Sequence, residues 1–311
     1  LILWRTLGGL GVGAASVIAP AYIAEVAPAN VRGRLGSLQQ LAIVLGIFAA
    51  LLNDALLADV AGGAAEMLWF GQEAWRWMFL AEAVPALLYG VFALTIPESP
   101  RFLVDAGRAK EAANVLRSYT GIKDTAAKIT EIRKSLSRES NESLRDLRGD
   151  SLGLKPIVWV GILLAVFQQF VGINVIFYYS TTLWRSVGFP ESQALLTSVI
   201  TSITNVVVTI VAILLVDKVG RRPMLLTGSL GMAVTLATMA LAFSQATIVD
   251  GEAQLDQPWG AIALVAANGF VVFFGATWGP IMWVMLGEMF PNRIRATAVS
   301  VASAFNWLAN F

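Results

Sequence analysis

The sequence contains no cysteine and no histidine. The first absence excludes disulfides, thiolate nucleophiles and thiol-held metals. The second excludes imidazole general bases and imidazole metal sites. Charge is scarce too: 14% of the 311 residues are Asp, Glu, Lys or Arg, against about 25% in a soluble domain. The signs nearly cancel, with 22 Lys and Arg against 21 Asp and Glu, so no strongly basic face is available for nucleic acid. No nucleophile–base set or metal-ligand cluster can be assembled, and neither an enzyme activity nor a cofactor is expected. What the chain has in excess is apolar surface, 57% hydrophobic residues and ten Trp. Water is not its main solvent.

A bilayer-spanning helix needs about 20 mostly apolar residues. Segments near 1–24, 35–57, 75–96, 156–180, 192–216, 223–245 and 258–287 meet that requirement, and an eighth begins near 296. They are too long for strands, and their Gly, Ala and Ser content suits close packing of membrane helices. Basic residues between them are lopsided. Arg32, Arg34, twelve Lys and Arg in 97–155, Lys218, Arg221, Arg222, Arg293 and Arg295 make up 19 of the 22. The alternate loops hold Arg76 and Arg185 with Asp59, Glu66, Glu73, Asp250, Glu252 and Asp256. The positive-inside rule puts the first set in the cytoplasm.

The stretch 97–155 is the one long polar insert. Ile129, Ile132 and Leu136 fall at helical spacing behind Asp124, a candidate N-cap, so two or three short cytoplasmic helices are expected there. The resulting organisation is a membrane segment over 1–96, a cytoplasmic helical linker over 97–155 and a second membrane segment over 156–311.

One signature occurs twice. Glu25-Val-Ala-Pro-Ala-Asn-Val-Arg32 and Glu288-Met-Phe-Pro-Asn-Arg-Ile-Arg295 both place Pro three residues and Arg seven residues after Glu. Each follows a span at its cytoplasmic end. Repeats of this kind mark carriers built from two similar halves, with the substrate site near the midplane between them. The second half also carries Asp217-Lys-Val-Gly-Arg221-Arg222, and an equivalent of it in the first half would fall before residue 1. Leu1 and Phe311 also lie in apolar runs with no leader, so the sequence reads as a piece of a longer chain that lacks about three spans at its start.

Three groups of polar residues stand out. Gln168, Gln169 and Asn174 lie mid-span, where amides are costly unless hydrogen-bonded. Each could serve a sugar hydroxyl as donor and acceptor, or join helices in packing. On an unbroken helix Gln169 and Asn174 would stand about 140° apart at 100° per residue; Gly172 between them allows local unwinding. Gly279-Pro280 should kink the last complete span, three residues before the mid-span aromatic Trp283. Arg5 and Glu82 are charges inside apolar spans, either a structural pair or part of an ion path. Glu25, Arg32, Glu98, Arg101, Asp217, Arg221, Glu288 and Arg295 form a cytoplasmic set. They could form a charge-assisted lock that opens and closes with conformation, or remain solvated.

Several motifs together resemble the sugar porter family of the major facilitator superfamily, and most closely its bacterial proton-linked xylose and glucose symporters. They are Arg5-x-x-x-Gly9, Tyr22-Ile-Ala-Glu25-x-x-Pro28-x-x-x-Arg32-Gly33, Pro97-Glu-Ser-Pro-Arg101-Phe-Leu, Gln168-Gln169-x-x-Gly172-x-Asn174, Tyr178-Tyr179, Asp217-x-x-Gly220-Arg-Arg and Gly279-Pro280-x-x-Trp283-x-x-x-x-Glu288. The resemblance implies an all-α membrane protein of the major facilitator fold, with this chain covering about eight of twelve transmembrane helices. It implies alternating-access transport of a pentose or hexose, with a proton as the coupled ion. Facilitated diffusion and non-transporting sugar sensing are the alternatives. It further implies sugar contacts at Gln40, Gln168, Gln169, Asn174, Tyr179, Asn205, Trp283, Asn306 and Trp307, and a role for Arg5 and Glu82 in proton coupling. Asn306 departs from the pattern, since some relatives carry Gln there. A monomer in a bacterial inner membrane is expected.

Overall fold

The computed structural model describes residues 2–26, 32–139, 144–149, 152–249 and 252–310; within them the side chains of Arg5, Glu25, Arg32 and Asp217, among others, lie outside the described set. Helices follow the apolar runs. The first, α1 (Ile2–Val26), precedes α2 (Arg32–Ala61), and the next run is divided into α3 (Ala74–Ala81) and α4 (Ala83–Thr95). The division at Glu82 has a local cause. Pro85 has no N–H to give the carbonyl of Ala81, so the ladder lapses there. The polar insert folds as α5 (Pro100–Asp105), α6 (Ala109–Tyr119) and α7 (Thr125–Glu139), closed by a 3-10 turn at Leu144–Leu147.

The second membrane segment opens with α8 (Pro156–Phe170), α9 (Ile173–Tyr178) and α10 (Ser180–Ser186), followed by the long helices α11 (Glu191–Val219) and α12 (Arg221–Phe243). A short antiparallel hairpin, β1 (Thr247–Val249) with β2 (Glu252–Gln254), leads into α13 (Trp259–Ala276), α14 (Trp278–Met289) and α15 (Arg295–Asn310). Among the described residues, six stretches are long and apolar enough to cross a membrane: Leu38–Ala61, Ala74–Thr95, Pro156–Tyr178, Glu191–Val216, Arg221–Phe243 and Trp259–Met289. Large apolar side chains such as Leu87, Leu94, Val265 and Leu308 face outward, as a lipid solvent permits.

The chain divides into two compact units. Unit 1 comprises Leu1–Gln39, Thr95–Gln169 and Met282–Phe311, and unit 2 comprises Gln40–Leu94 and Phe170–Ile281. In unit 1, Val158, Ile162 and Ala165 of α8 pack against Leu286 and Phe290 of α14 and Ala298 and Ala302 of α15. Gly161 allows this approach, because a Cβ there would stand 2.5 Å from Phe290 Cζ. Leu147, from the end of the insert, is buried in the same cluster, and Arg293 pairs with Asp146 at 3.2 Å beside it. The insert thus ends docked on the membrane helices it precedes, which its polar sequence did not announce.

The insert has its own small core. Leu103, Val104 and Ala112 are buried under Ile129, Ile132 and Leu136, the stripe expected from spacing. Asp124 accepts from the N–H of Ala127 at 3.0 Å, so that N-cap signal acted as read; Ser99, not singled out in the sequence, caps α5 ahead of Pro100. On its exposed rim, the hydrogen bond from Arg108 holds the Glu111 carboxyl below its ordinary range.

Unit 2 is knit by α11, α12 and α13. Gly228 and Gly231 of α12 let Thr277 and Phe273 approach so closely that a Cβ on either glycine would overlap them, the small-residue packing expected of membrane helices. Ile173, Ile176, Phe177, Trp184, Met232, Phe270 and Phe274 form the core.

Candidate functional site

The span expected over 156–180 is broken where the glycine predicted it. Gly172 lies in the left-handed region at φ 89°, ψ 18°, a conformation that favours a residue without Cβ. Gln168 and Gln169 stand before the break on α8, and Asn174 stands after it on α9. The second expected kink is also present. Thr277, at φ −137°, ψ −84°, separates α13 from α14, and Pro280 lacks the N–H that would have reached Ala276.

In unit 1 three amides meet. Asn306 on α15 donates through Nδ2 to the carbonyl of Ala165 at 2.8 Å and to Oε1 of Gln168 at 3.0 Å. Its Oδ1 accepts from Nε2 of Gln169 at 2.9 Å. Gln168 and Asn306 are 5% and 1% exposed, so hydrogen bonding here offsets a heavy desolvation cost. The next residue, Trp307, donates to Oγ of Ser16 on α1 at 3.0 Å. Trp283 on α14 is half-buried and packs against the α8–α14–α15 core.

In unit 2 the candidates are placed differently. Gln40 is buried on α2, and its Nε2 lies 3.3 Å from where a Cβ on Gly279 would be. Asn205 is buried on α11 with Oδ1 lacking a hydrogen-bond partner, and Thr209 Oγ1, one turn further, lacks one too. Gly275 of α13 makes room for that Asn205 oxygen, since a Cβ there would stand 2.6 Å from it. Asn174 is half-buried, and Tyr179, at the end of α9, is exposed.

Of the two charges read inside spans, Glu82 is exposed at the α3–α4 bend. The sequence reading overlooked its neighbour Asp54 on α2, which is within electrostatic reach of Glu82. Asn53 donates to Asp54 Oδ1 at 3.3 Å and to the carbonyl of Met78 at 3.4 Å. The Arg5 side chain lies outside the described set. Also overlooked was Asn268 on α13, which accepts from Thr201 of α11 at 3.0 Å. The signal for both was available: polar side chains in an apolar run.

Of the cytoplasmic set, Glu25, Arg32 and Asp217 fall outside the described side chains, Glu98 and Glu288 are exposed, and Arg101 is half-buried. Arg221 donates to the carbonyl of Val216 and Arg295 to that of Phe290, each at 3.2 Å. Both arginines reach five residues back to the end of the preceding helix, where a cation complements unpaired carbonyls. At the chain's start, Tyr22 of α1 donates to the carbonyl of Pro97 at 2.8 Å. A groove of about 480 Å³ between α12 and α13, lined by Thr235, Ile262, Val265 and Gly269 among others, contains none of the candidate residues.

Multiple apolar spans, with helices broken at glycine and proline beside mid-span amides, are the features of a multi-pass membrane protein of the major facilitator fold. The chain belongs to the sugar transporter family: the family profile described as "Sugar (and other) transporter" matches residues 1–311. It is 57% identical over 311 residues to the glucose transport protein of Synechocystis sp., covering 100% of this chain and 66% of that protein. It is 38% identical over 310 residues to the D-xylose-proton symporter of Escherichia coli K12, covering 59% of it. Among solved structures it is similar to the major facilitator proton:xylose symporter XylE bound to 6-bromo-6-deoxy-D-glucose. The TM-score is 0.81 at 38% identity, over 99% of this chain and 61% of that one. An inward-open form of the same xylose transporter matches at TM-score 0.74. The chain spans about three-fifths to two-thirds of the length of these relatives.

Proposed function

We propose that these residues form the larger part of a twelve-span carrier that moves a monosaccharide across a bacterial inner membrane by alternating access, coupled to a proton. The observation that carries this reading is the broken helix at Gly172. It frees the segment bearing Gln168, Gln169 and Asn174 from a single helical face, and amides suit sugar hydroxyls because each both donates and accepts. Gln40, Tyr179, Asn205, Trp283 and Trp307 are the further sugar-contact candidates, and Asn306, a candidate by position, joins the two glutamines of the site. The organisation proposed is a membrane half ending at 96, a linker over 97–155 and a second half from 156. Glu25, Arg32, Glu98, Arg101, Asp217, Arg221, Glu288 and Arg295 act as the cytoplasmic lock, and Arg5 and Glu82 serve the proton. No covalent step is needed; binding that favours one of two states suffices. The carrier works as a monomer.

Relatives described as proton symporters of xylose and arabinose support the coupled form. A second reading, uniport, is favoured by the 33% identity to the glucose facilitated diffusion protein of Zymomonas mobilis. Uptake of labelled D-glucose and D-xylose into proteoliposomes containing the full-length protein separates these readings. Accumulation that collapses with a protonophore is the expected result. Equilibration indifferent to the protonophore supports uniport, and specific binding without flux refutes transport.

A further inference from the structure

We propose that Asn306 is a positioning residue, which fixes the orientation of the Gln168 and Gln169 amides and does not itself touch the sugar. The proposal rests on the reading of those two glutamines as sugar-binding groups. An asparagine amide has two N–H donors and one carbonyl. In Asn306 both donors are used within unit 1, one on the Ala165 carbonyl and one on Gln168 Oε1, and the carbonyl accepts from Gln169. The side chain is 1% exposed, so its remaining capacity does not face a ligand.

The orientation of the whole cluster follows from one bond. A backbone carbonyl only accepts, so Ala165 dictates that the NH2 of Asn306 faces α8. Gln168 must then present its oxygen to Asn306, and Gln169, meeting Oδ1, must present its nitrogen. Turning over any one amide would set two donors or two acceptors face to face. The two neighbouring glutamines are thereby held in opposite senses: the NH2 of Gln168 and the carbonyl of Gln169 are both turned away from Asn306. A site built to match hydrogen-bond donors and acceptors in this way rejects partners that leave its groups unpaired. A glutamine at 306, one methylene longer, would have to shift α15 or leave the cluster. Trp307, tied to Ser16 on α1, fixes α15 on its other side.

The test is D-glucose binding to the purified full-length protein, with melting temperature as the folding control. Asn306→Asp keeps the acceptor for Gln169 and loses both donors. Its affinity should fall about tenfold, the equivalent of one hydrogen-bond mismatch. A sugar contact predicts the reverse, because a carboxylate accepts well from hydroxyls; affinity within twofold of wild type, or better, overturns the proposal. Should the buried charge prevent folding, Asn306→Ala replaces it, measured alone and in a Gln168→Ala background. Acting through Gln168, it should lose at least threefold of its effect there, and equal losses in both backgrounds overturn the proposal. Gln169→Ala separates the two readings. If it leaves affinity unchanged, the sugar assignment of the glutamines fails and the positioning role with it. If it weakens binding while Asn306→Asp does not, the positioning role alone fails.

Discussion

Two buried polar groups in apolar helices have been treated in opposite ways. On α8 and α15, the amides of Gln168, Gln169 and Asn306 satisfy one another and a backbone carbonyl. On α11, the oxygens of Asn205 and Thr209 are equally buried and lack partners. An amide inside a membrane helix is expensive in either case, so the satisfied cluster is a scaffold whose loss weakens the fold. The two oxygens on α11 add no hydrogen bond to the fold, so replacing them should cost it little. Burial alone therefore does not tell what such a group contributes to stability; its partners do.

That contrast can be broken by substitution and read by unfolding in detergent. Asn306→Leu should have the largest effect. It removes the donor to the buried Gln168 Oε1 and the acceptor of Gln169 Nε2, and at 1–3 kcal/mol for a buried group so deprived the loss should be about 3 kcal/mol. Unchanged stability would mean that the cluster is no scaffold. Gly275→Ala comes next: its Cβ would stand 2.6 Å from Asn205 Oδ1, and overpacking of this kind costs about 1–3 kcal/mol. Thr209→Val, near-isosteric, removes a hydroxyl that has no partner. It should leave stability unchanged or raise it by up to about 1 kcal/mol, and a clear loss would reveal a partner for that hydroxyl. The smallest effect belongs to Arg293→Ala. Its own side chain is mostly exposed, at 76% against 23% for Asp146, so the change should stay within about 0.5 kcal/mol.

What the sequence revealed, and what it withheld, follows from the range of each interaction. Gly172, Pro280, Asp124 and the Ile129–Ile132–Leu136 stripe act on their own or neighbouring turns, and all four behaved as their chemistry predicts. The Asn306 cluster joins residues 137 and 138 positions apart, and no local pattern encodes which amide donates to which. The docking of Leu147 was hidden for the same reason. The hairpin of β1 and β2 was a different omission. Val249 pairs with Glu252, and the Asp-Gly that stands between them in the sequence is a strong hairpin signal that the acidic composition around it obscured. Asp54 lies near the end of an apolar run on α2 beside Asn53, and its closeness to Glu82 depends on how two helices pack.

The central claim is that the amides around the Gly172 break bind a monosaccharide. Calorimetric titration of D-glucose into the full-length protein carrying Gln169→Ala, alongside wild type, tests it most directly. Binding lost or weakened by at least about tenfold, as expected for removal of a hydrogen-bonding group from a polar site, in a variant that still unfolds in one cooperative transition, is the predicted result. Wild-type affinity in the variant would contradict it.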